Sequence, residues 1–209
     1  MYLTKKDIQQ TERILRLNII NSVTGIKPAN LIGTKSNDGF ANVGIFSSVV
    51  HLGSDPAVLG FVLRPQYEKP RDTYLNIKEN GFYTINQVPI KLAKKAHWTS
   101  VKFKKEESEF DECKLTASYL HGFHAPFVDE CLLKIGLQLK EEVPINSNQT
   151  LLMVGEIVHL SIPDEVVSAS GRIDLESMGS AGISGLDTYY SLKKESQFEY
   201  ARKSNLPKF

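Results

Sequence analysis

A chain of 209 residues, 41% of them hydrophobic and 23% charged, is long enough to bury a full core and fits one globular domain better than two. Its 25 Lys and Arg balance 24 Asp and Glu to a net charge of +1, which excludes the overall basic field of a nucleic-acid binder. Two cysteines, Cys113 and Cys131, are too few for a disulfide framework and too far apart for a CxxC redox or zinc motif, so both read as reduced structural thiols.

The opening "MYLTKKDIQQTERILRL" carries a charge every few residues, so it has no signal-peptide core, and it holds at most a short helix. No other run is apolar enough to span a bilayer; a cytoplasmic protein without membrane contact is expected. From Ala29 the texture changes. "ANLIGTKS" and "FANVGIFSSVV" read as strands joined by Asn37-Asp38-Gly39, whose residues tolerate the positive φ angles of a tight hairpin. Ser47 and Ser48 stand where the second strand is about to turn. Adjacent strand residues face opposite sides, so either one hydroxyl faces a ligand while the other pairs with backbone, or both satisfy strand-end backbone groups. The turn "GSDP" then leads to a third run, "AVLGFVLR".

The segment "RPQYEKPRDTYLNIKENG" predicts a helix from near Asp72, with Pro70 ahead of it, Asp72 as N-cap, Leu75 and Ile77 buried in its first turns, and Gly81 at its end. Arg64, Lys69 and Arg71 gather at that start, where the helix dipole disfavours cations by about 0.3–1 kcal/mol each. Two readings stand equal here. Either the backbone N–H groups, the Thr73 hydroxyl and two guanidiniums form a phosphate cradle, or the cations are solvated loop residues near Glu68 and Asp72.

"FYTINQV" follows as a strand, and residues from about Ile90 to Phe110 read as helical with Lys and Glu outward. The run Lys94, Lys95, Lys102, Lys104 and Lys105 is offset at once by Glu106, Glu107, Glu109 and Asp111, which marks a solvated surface. "CLLKIGLQLKEEV" alternates Leu133, Ile135, Leu137 and Leu139 with polar residues and Gly136, the pattern of a strand with one buried face, and "TLLMVGEIVHLSI" is its antiparallel neighbour. His121 and His124 in "HGFHAPF", with His159, invite a metal reading. Gly122 and Pro126 oppose the helix such spacing needs, and no HExxH motif accompanies them, so no metal site is expected. His159 itself is either a satisfied sheet histidine or a partner for a ligand ring. "GSAGISGLDTYY" lacks GxGxxG spacing; it either lays backbone and Tyr189 or Tyr190 against a ligand or neighbouring chain, or simply closes a loop. No GxSxG elbow occurs, so any catalysis would come from a cofactor. Many antiparallel strands with few helices point to a closed or half-closed β-barrel.

Taken together, "KPANLIGTKSNDGFANVGIFSSVVHLGSDPAVLGFVLRP", "RDTYLNIKENGFYTINQV", "GEIVHLSI" and "GISGLDTYY" resemble the flavin-reductase-like, FMN-binding split-barrel family, from near Lys27 to about Tyr190. The resemblance implies a mainly β fold, a six-stranded antiparallel Greek-key split barrel with peripheral helices. It implies one such domain over residues 1–209, with an N-terminal extension and a C-terminal tail, paired as a homodimer that holds FMN beside the subunit interface. By position, Asn30, Phe46, Ser47 and Ser48 would line the isoalloxazine and ribityl chain, and Arg64, Arg71 and Thr73 would hold the phosphate. His159 and Tyr190 would approach the ring from either subunit. The implied activity is hydride transfer through flavin N5 with NADH or NADPH as transient donor, so no side chain is named catalytic. The alternative is an FMN-binding electron carrier resembling flavoredoxin, which serves a protein electron acceptor without NAD(P)H turnover.

Overall fold

The computed structural model describes residues 1–67 and 69–208. Helices α1 (Lys5–Gln10) and α2 (Arg13–Ser22) precede β1 (Lys27–Pro28), β2 (Asn30–Lys35), β3 (Ala41–Phe46), β4 (Val50–Ser54) and β5 (Ala57–Leu63). Helix α3 (Asp72–Asn80) leads into β6 (Phe82–Gln87), then α4 (Ala93–Trp98), α5 (Glu109–Glu112), β7 (Ala117–Ser118) and β8 (Phe127–Val128). The long hairpin of β9 (Lys134–Ile145) and β10 (Thr150–Ser161) is followed by β11 (Ala181–Ser184) and β12 (Thr188–Ser191). The main sheet is antiparallel in the order β3-β2-β6-β9-β10-β5-β4, with smaller sheets β1-β11-β12 and β7-β8 beside it.

The fold is therefore mainly β with peripheral helices, but the main sheet has seven strands where six were expected. The added strand comes from the run "FANVGIFSSVV", which divides after Phe46 and resumes as β4 at Val50. Residues 47–49 carry the chain from one edge of the sheet to the other, so a single strand cannot span the run. Ser48 fastens this crossing: its Oγ donates to the Val62 carbonyl and accepts from the Val62 N–H, both at 3.1 Å. Of the two serines, Ser48 thus takes the backbone-pairing role.

The β2–β3 hairpin closes as expected, with Gly39 at φ 95° and the Ser36 N–H donating to the Phe40 carbonyl at 3.0 Å. Inside the barrel Ile32, Phe61, Leu63, Tyr83, Ile85, Leu137 and Met153 are buried, and α3 adds Ile77 to them. Thr73, Asn76 and Ile77 form the inward face of α3, an i, i+3, i+4 set. Leu75, expected to be buried, is 47% exposed. Positions 75 and 77 lie about 200° apart on a helix, so both cannot face one core. The helix also starts one residue earlier than expected: Arg71 is the N-cap and Asp72 the first helical residue, while Gly81 ends it at φ 80°.

The other face of β2, β3 and β6 carries a second core of Ala29, Leu31, Val43 and Val88, covered by α4, α5 and β11. A third cluster, Phe123, Ala125 and Phe127, packs beside it, which explains why Gly136 of β9 is buried as well as Leu137: the Phe123 ring lies against it. The helix expected over Ile90 to Phe110 is interrupted. A 3₁₀ turn and α4 end at Trp98, where Thr99 and Ser100 turn their hydroxyls back onto the Ala96 and His97 carbonyls, at 2.7 and 2.8 Å. Such local bonds compete with helix continuation.

Candidate functional site

Alternation along β3 sends Val43 into the outer core with Ala41 and Ile45 against it, and turns Asn42 and Phe46 to the opposite side. Asn42 is a junction there. Its Nδ2 donates to Glu109 Oε2 at 2.7 Å, and its Oδ1 accepts from the hydroxyls of Thr73 at 2.9 Å and Thr34 at 3.3 Å. Asn76 Nδ2 donates to the Thr34 hydroxyl at 3.1 Å, so β2, β3, α3 and α5 are joined through one polar chain. Thr73 thereby commits its hydroxyl hydrogen inside the fold, and the buried side chain leaves its backbone N–H at the helix start.

The loop between β5 and α3 is held by Gln66, whose Nε2 donates to the Arg64 carbonyl at 2.5 Å and whose Oε1 accepts from the Arg71 N–H at 2.9 Å. Arg64 and Arg71 are exposed, and neither forms an ion pair with a described carboxylate, Asp72 included. Glu68, invoked in the solvated-loop reading, lies outside the described residues. No Arg71 side-chain bond caps the first turn of α3, whose N–H groups have no intrahelical partner. A helix start without a side-chain cap, with two exposed arginines in the loop that leads to it, has the chemistry an anion would suit.

From Asn42 to Phe46, β3 runs four residues, about 13 Å. At its far end Phe46 pairs with Asn30 of β2. The Phe46 ring meets Phe61 edge-on at 5.3 Å inside the barrel, so it offers a ligand backbone more than ring. Asn30 is buried, its Nδ2 on the Pro28 carbonyl at 3.3 Å. Tyr190 lies near this end: it pairs with Gly182, which pairs with Pro28, and it is 40% exposed. His159 lies far from the arginine end. It sits across from Gly136 with its ring 5.0 Å from Phe123, eight residues along β10 from the partner of Leu63, roughly 26 Å.

Glu109 is the unusual ionisable group. The residue is 8% exposed, its carboxylate accepts from Asn42 and from the Val43 N–H at 3.3 Å, and it stands beside Ser108, whose hydroxyl donates to the Ala41 carbonyl at 2.8 Å. Burial pushes its pKa above the ordinary 4.5, with the hydrogen bonds only partly opposing. A carboxyl that holds its proton more tightly when folded adds stability at low pH, and that contribution is lost as pH rises from the ordinary value through the raised one. Glu109→Gln is therefore expected to gain stability relative to the parent as pH is raised from about 4 to about 7. Urea unfolding across that range checks it; a difference that stays flat with pH would refute it. The thiols are poor nucleophiles: Cys131 is buried and pushed up to about 12, mainly by that burial, and Cys113 is shifted upward for the same reason.

Asn42, Gln66 and Glu109 were missed in the sequence. Asn42 did leave a signal, a polar side chain at an alternate strand position with Thr34 directly opposite in register. Gln66 and Glu109 left none, since a glutamine in a loop and a glutamate in a charged run look like surface.

Residues 26–173 match the model of the flavin reductase like domain. A flavin-reductase-type split-barrel protein of Shewanella frigidimarina NCIMB 400 is 42% identical in sequence, superposes with a TM-score of 0.92, and shares 96% of this chain and 100% of its own. Nitrilotriacetate monooxygenase component B of Bacillus cereus superposes at 0.83 with 16% identity over 95% and 98% of the two chains. The flavoredoxin of Desulfovibrio vulgaris (Miyazaki F) does so at 0.70 with 20% identity over 87% and 93%. The last two likenesses concern the fold. With most of its length matched by the family model, this chain belongs to the flavin reductase like domain family.

Proposed function

We propose that this protein binds FMN and works as an oxidoreductase of the flavin reductase type. The uncapped start of α3, flanked by Arg64 and Arg71 across the Gln66 clamp, carries the assignment. A phosphate monoester with nearly two negative charges suits that cluster; a neutral ligand would leave both cations without purpose. Arg64, Arg71 and the backbone N–H of Thr73 would hold the phosphate. The ribityl chain would follow β3, and Asn30, Phe46, Ser47 and Ser48 would border the ring, with Tyr190 at that end. His159 would reach a ring only from a second copy, in a cytoplasmic homodimer. The bound flavin supplies hydride chemistry at its N5, with NADH or NADPH as transient donor; the protein binds and orients it.

Adding FMN to the purified protein, desalting, and recording the visible spectrum tests the first half, and NAD(P)H oxidation with added FMN tests the second. Retained or saturably titrating flavin together with pyridine-nucleotide turnover is expected. Bound flavin without turnover would instead favour an electron carrier serving a protein acceptor, and no flavin binding at all would end the assignment.

A further inference from the structure

Thr73, the second residue of α3, has two claims on its hydroxyl hydrogen. A phosphate seated on the free N–H groups of that helix start would accept it, yet the hydroxyl donates inward, to Asn42 Oδ1 at 2.9 Å. The direction is set elsewhere. An ionised carboxylate can only accept, so Glu109 Oε2 obliges Asn42 to face it with its Nδ2 hydrogens, at 2.7 Å. The planar amide then presents Oδ1 to its other side, where the hydroxyls of Thr73 and Thr34 must both donate. The polarity of the whole chain is fixed at its buried end.

A neutral Glu109 reverses that polarity. Once the carboxyl carries a proton, its O–H can donate to Asn42 Oδ1, the amide turns over, and Nδ2 donates to the Thr73 oxygen, which releases the Thr73 hydrogen toward the helix start. The Val43 N–H keeps a carboxyl oxygen to donate to in either state. A cavity of about 10 Å³, the room of one water, borders Asn42, Asn76, Asp72 and Glu109, beside the amide that has to turn. The charged and titratable groups around Glu109 are Asp72 of α3, Cys113 at the end of α5, and Lys104, Lys105 and Glu107 of the loop before α5. Lys104 is held by Glu107 at 3.8 Å and Lys105 by Asp38 at 2.9 Å, and among the described residues no cation pairs with Glu109.

We propose that Glu109 is a positioning residue for the flavin phosphate: acting through Asn42, it decides whether the Thr73 hydroxyl serves the fold or a phosphate at the start of α3, and a neutral side chain at position 109 tightens the hold on FMN. This rests on the FMN reading above and adds the residue that tunes it. Fluorescence titration with FMN and with riboflavin gives the preference for the phosphorylated flavin in the parent, in Glu109→Gln, and in each with Asn42→Ala added. At about pH 8, Glu109→Gln is expected to raise that preference about 10-fold, because a glutamine amide can donate to Asn42 where a carboxylate cannot. With Asn42→Ala present the Thr73 hydrogen has no inward acceptor, and the gain from Glu109→Gln is expected to fall below about twofold. A preference that Glu109→Gln leaves unchanged or lowers overturns the proposal, and so does a gain that survives Asn42→Ala in full, the mark of a field acting through space. Should Asn42→Ala fail to fold, the pH profile decides. The parent's preference divided by that of Glu109→Gln is expected to rise as pH is lowered from about 8 to about 5, and a flat ratio overturns the proposal. Taking the ratio cancels the titration of the phosphate itself at about pH 6. A parent that binds both flavins equally, or neither, removes the phosphate reading and this proposal together, whereas a parent that prefers FMN with no effect of Glu109→Gln removes the proposal alone.

Discussion

Alanine at both Arg64 and Arg71 is expected to weaken FMN binding by about 100-fold or more while changing riboflavin binding by less than about twofold. Hydrogen bonds to charged groups contribute about 1.5–3 kcal/mol each, and solvent at this exposed loop holds each arginine near the lower bound. Two such losses still sum to the stated factor. Riboflavin shares the ring and ribityl chain but has no phosphate, so it reports any general damage to the groove. Fluorescence titration of both flavins at two salt concentrations separates the terms: the FMN preference should shrink with added salt in the parent and be nearly absent in the variant. Equal losses for the two flavins would remove the phosphate from this site. The Gln66 clamp adds to the expectation, because it fixes the two arginine backbones against one another before any ligand arrives.

Gly33→Ala should destabilise the fold by about 2–4 kcal/mol. Gly33 lies in the middle of β2 with a neighbour on each side, and a Cβ there would strike the Pro126 carbonyl oxygen and the Thr84 hydroxyl. Those two atoms are themselves bonded, the Thr84 Oγ1 donating to Pro126 at 2.7 Å. A backbone carbonyl cannot swing aside as a side-chain tip can, so the methyl must displace the whole 117–128 segment and break that bond. The same segment is tied down by Asn86, which accepts from the Val128 N–H at 3.1 Å and donates to the Leu31 carbonyl at 3.1 Å. Guanidinium unfolding measures the cost. A change within about 0.5 kcal/mol would mean the segment lies loosely on the sheet and Phe123 and Phe127 contribute little to the core.

The strands were legible because alternation and turn chemistry are local: Asn37-Asp38-Gly39 set the β2–β3 register, and the 134–145 and 150–161 strands follow from their leucines. The division of "FANVGIFSSVV" was not, because what splits it is Val62, fourteen residues on. Leu75 shows a different limit. Hydrophobicity suggested burial, yet helix geometry had already assigned the inward face to Thr73, Asn76 and Ile77. At the candidate site the helix start was readable to within one residue from Pro70 and Gly81, although Asp72 is its first residue and not its cap. The Thr73 hydroxyl was expected to face outward and is turned inward, since its partner Asn42 comes from another element. Tyr190 could be placed only once β11 and β12 had paired beside Pro28, and His159 stands apart beneath Phe123.

Ser108 and Glu109 do for β3 what a neighbouring strand would do. One hydroxyl donates to the Ala41 carbonyl, one carboxylate accepts from the Val43 N–H, and among the described residues β3 is the last strand of the main sheet. An open sheet edge is a template on which any extended chain can grow, and crowded, freshly made polypeptide is the setting where that does harm. Here the template is blocked by side chains that cannot propagate it. Resistance to edge-to-edge aggregation and the setting of Asn42 therefore depend on the same carboxylate, so a substitution at Glu109 chosen to alter one would alter the other.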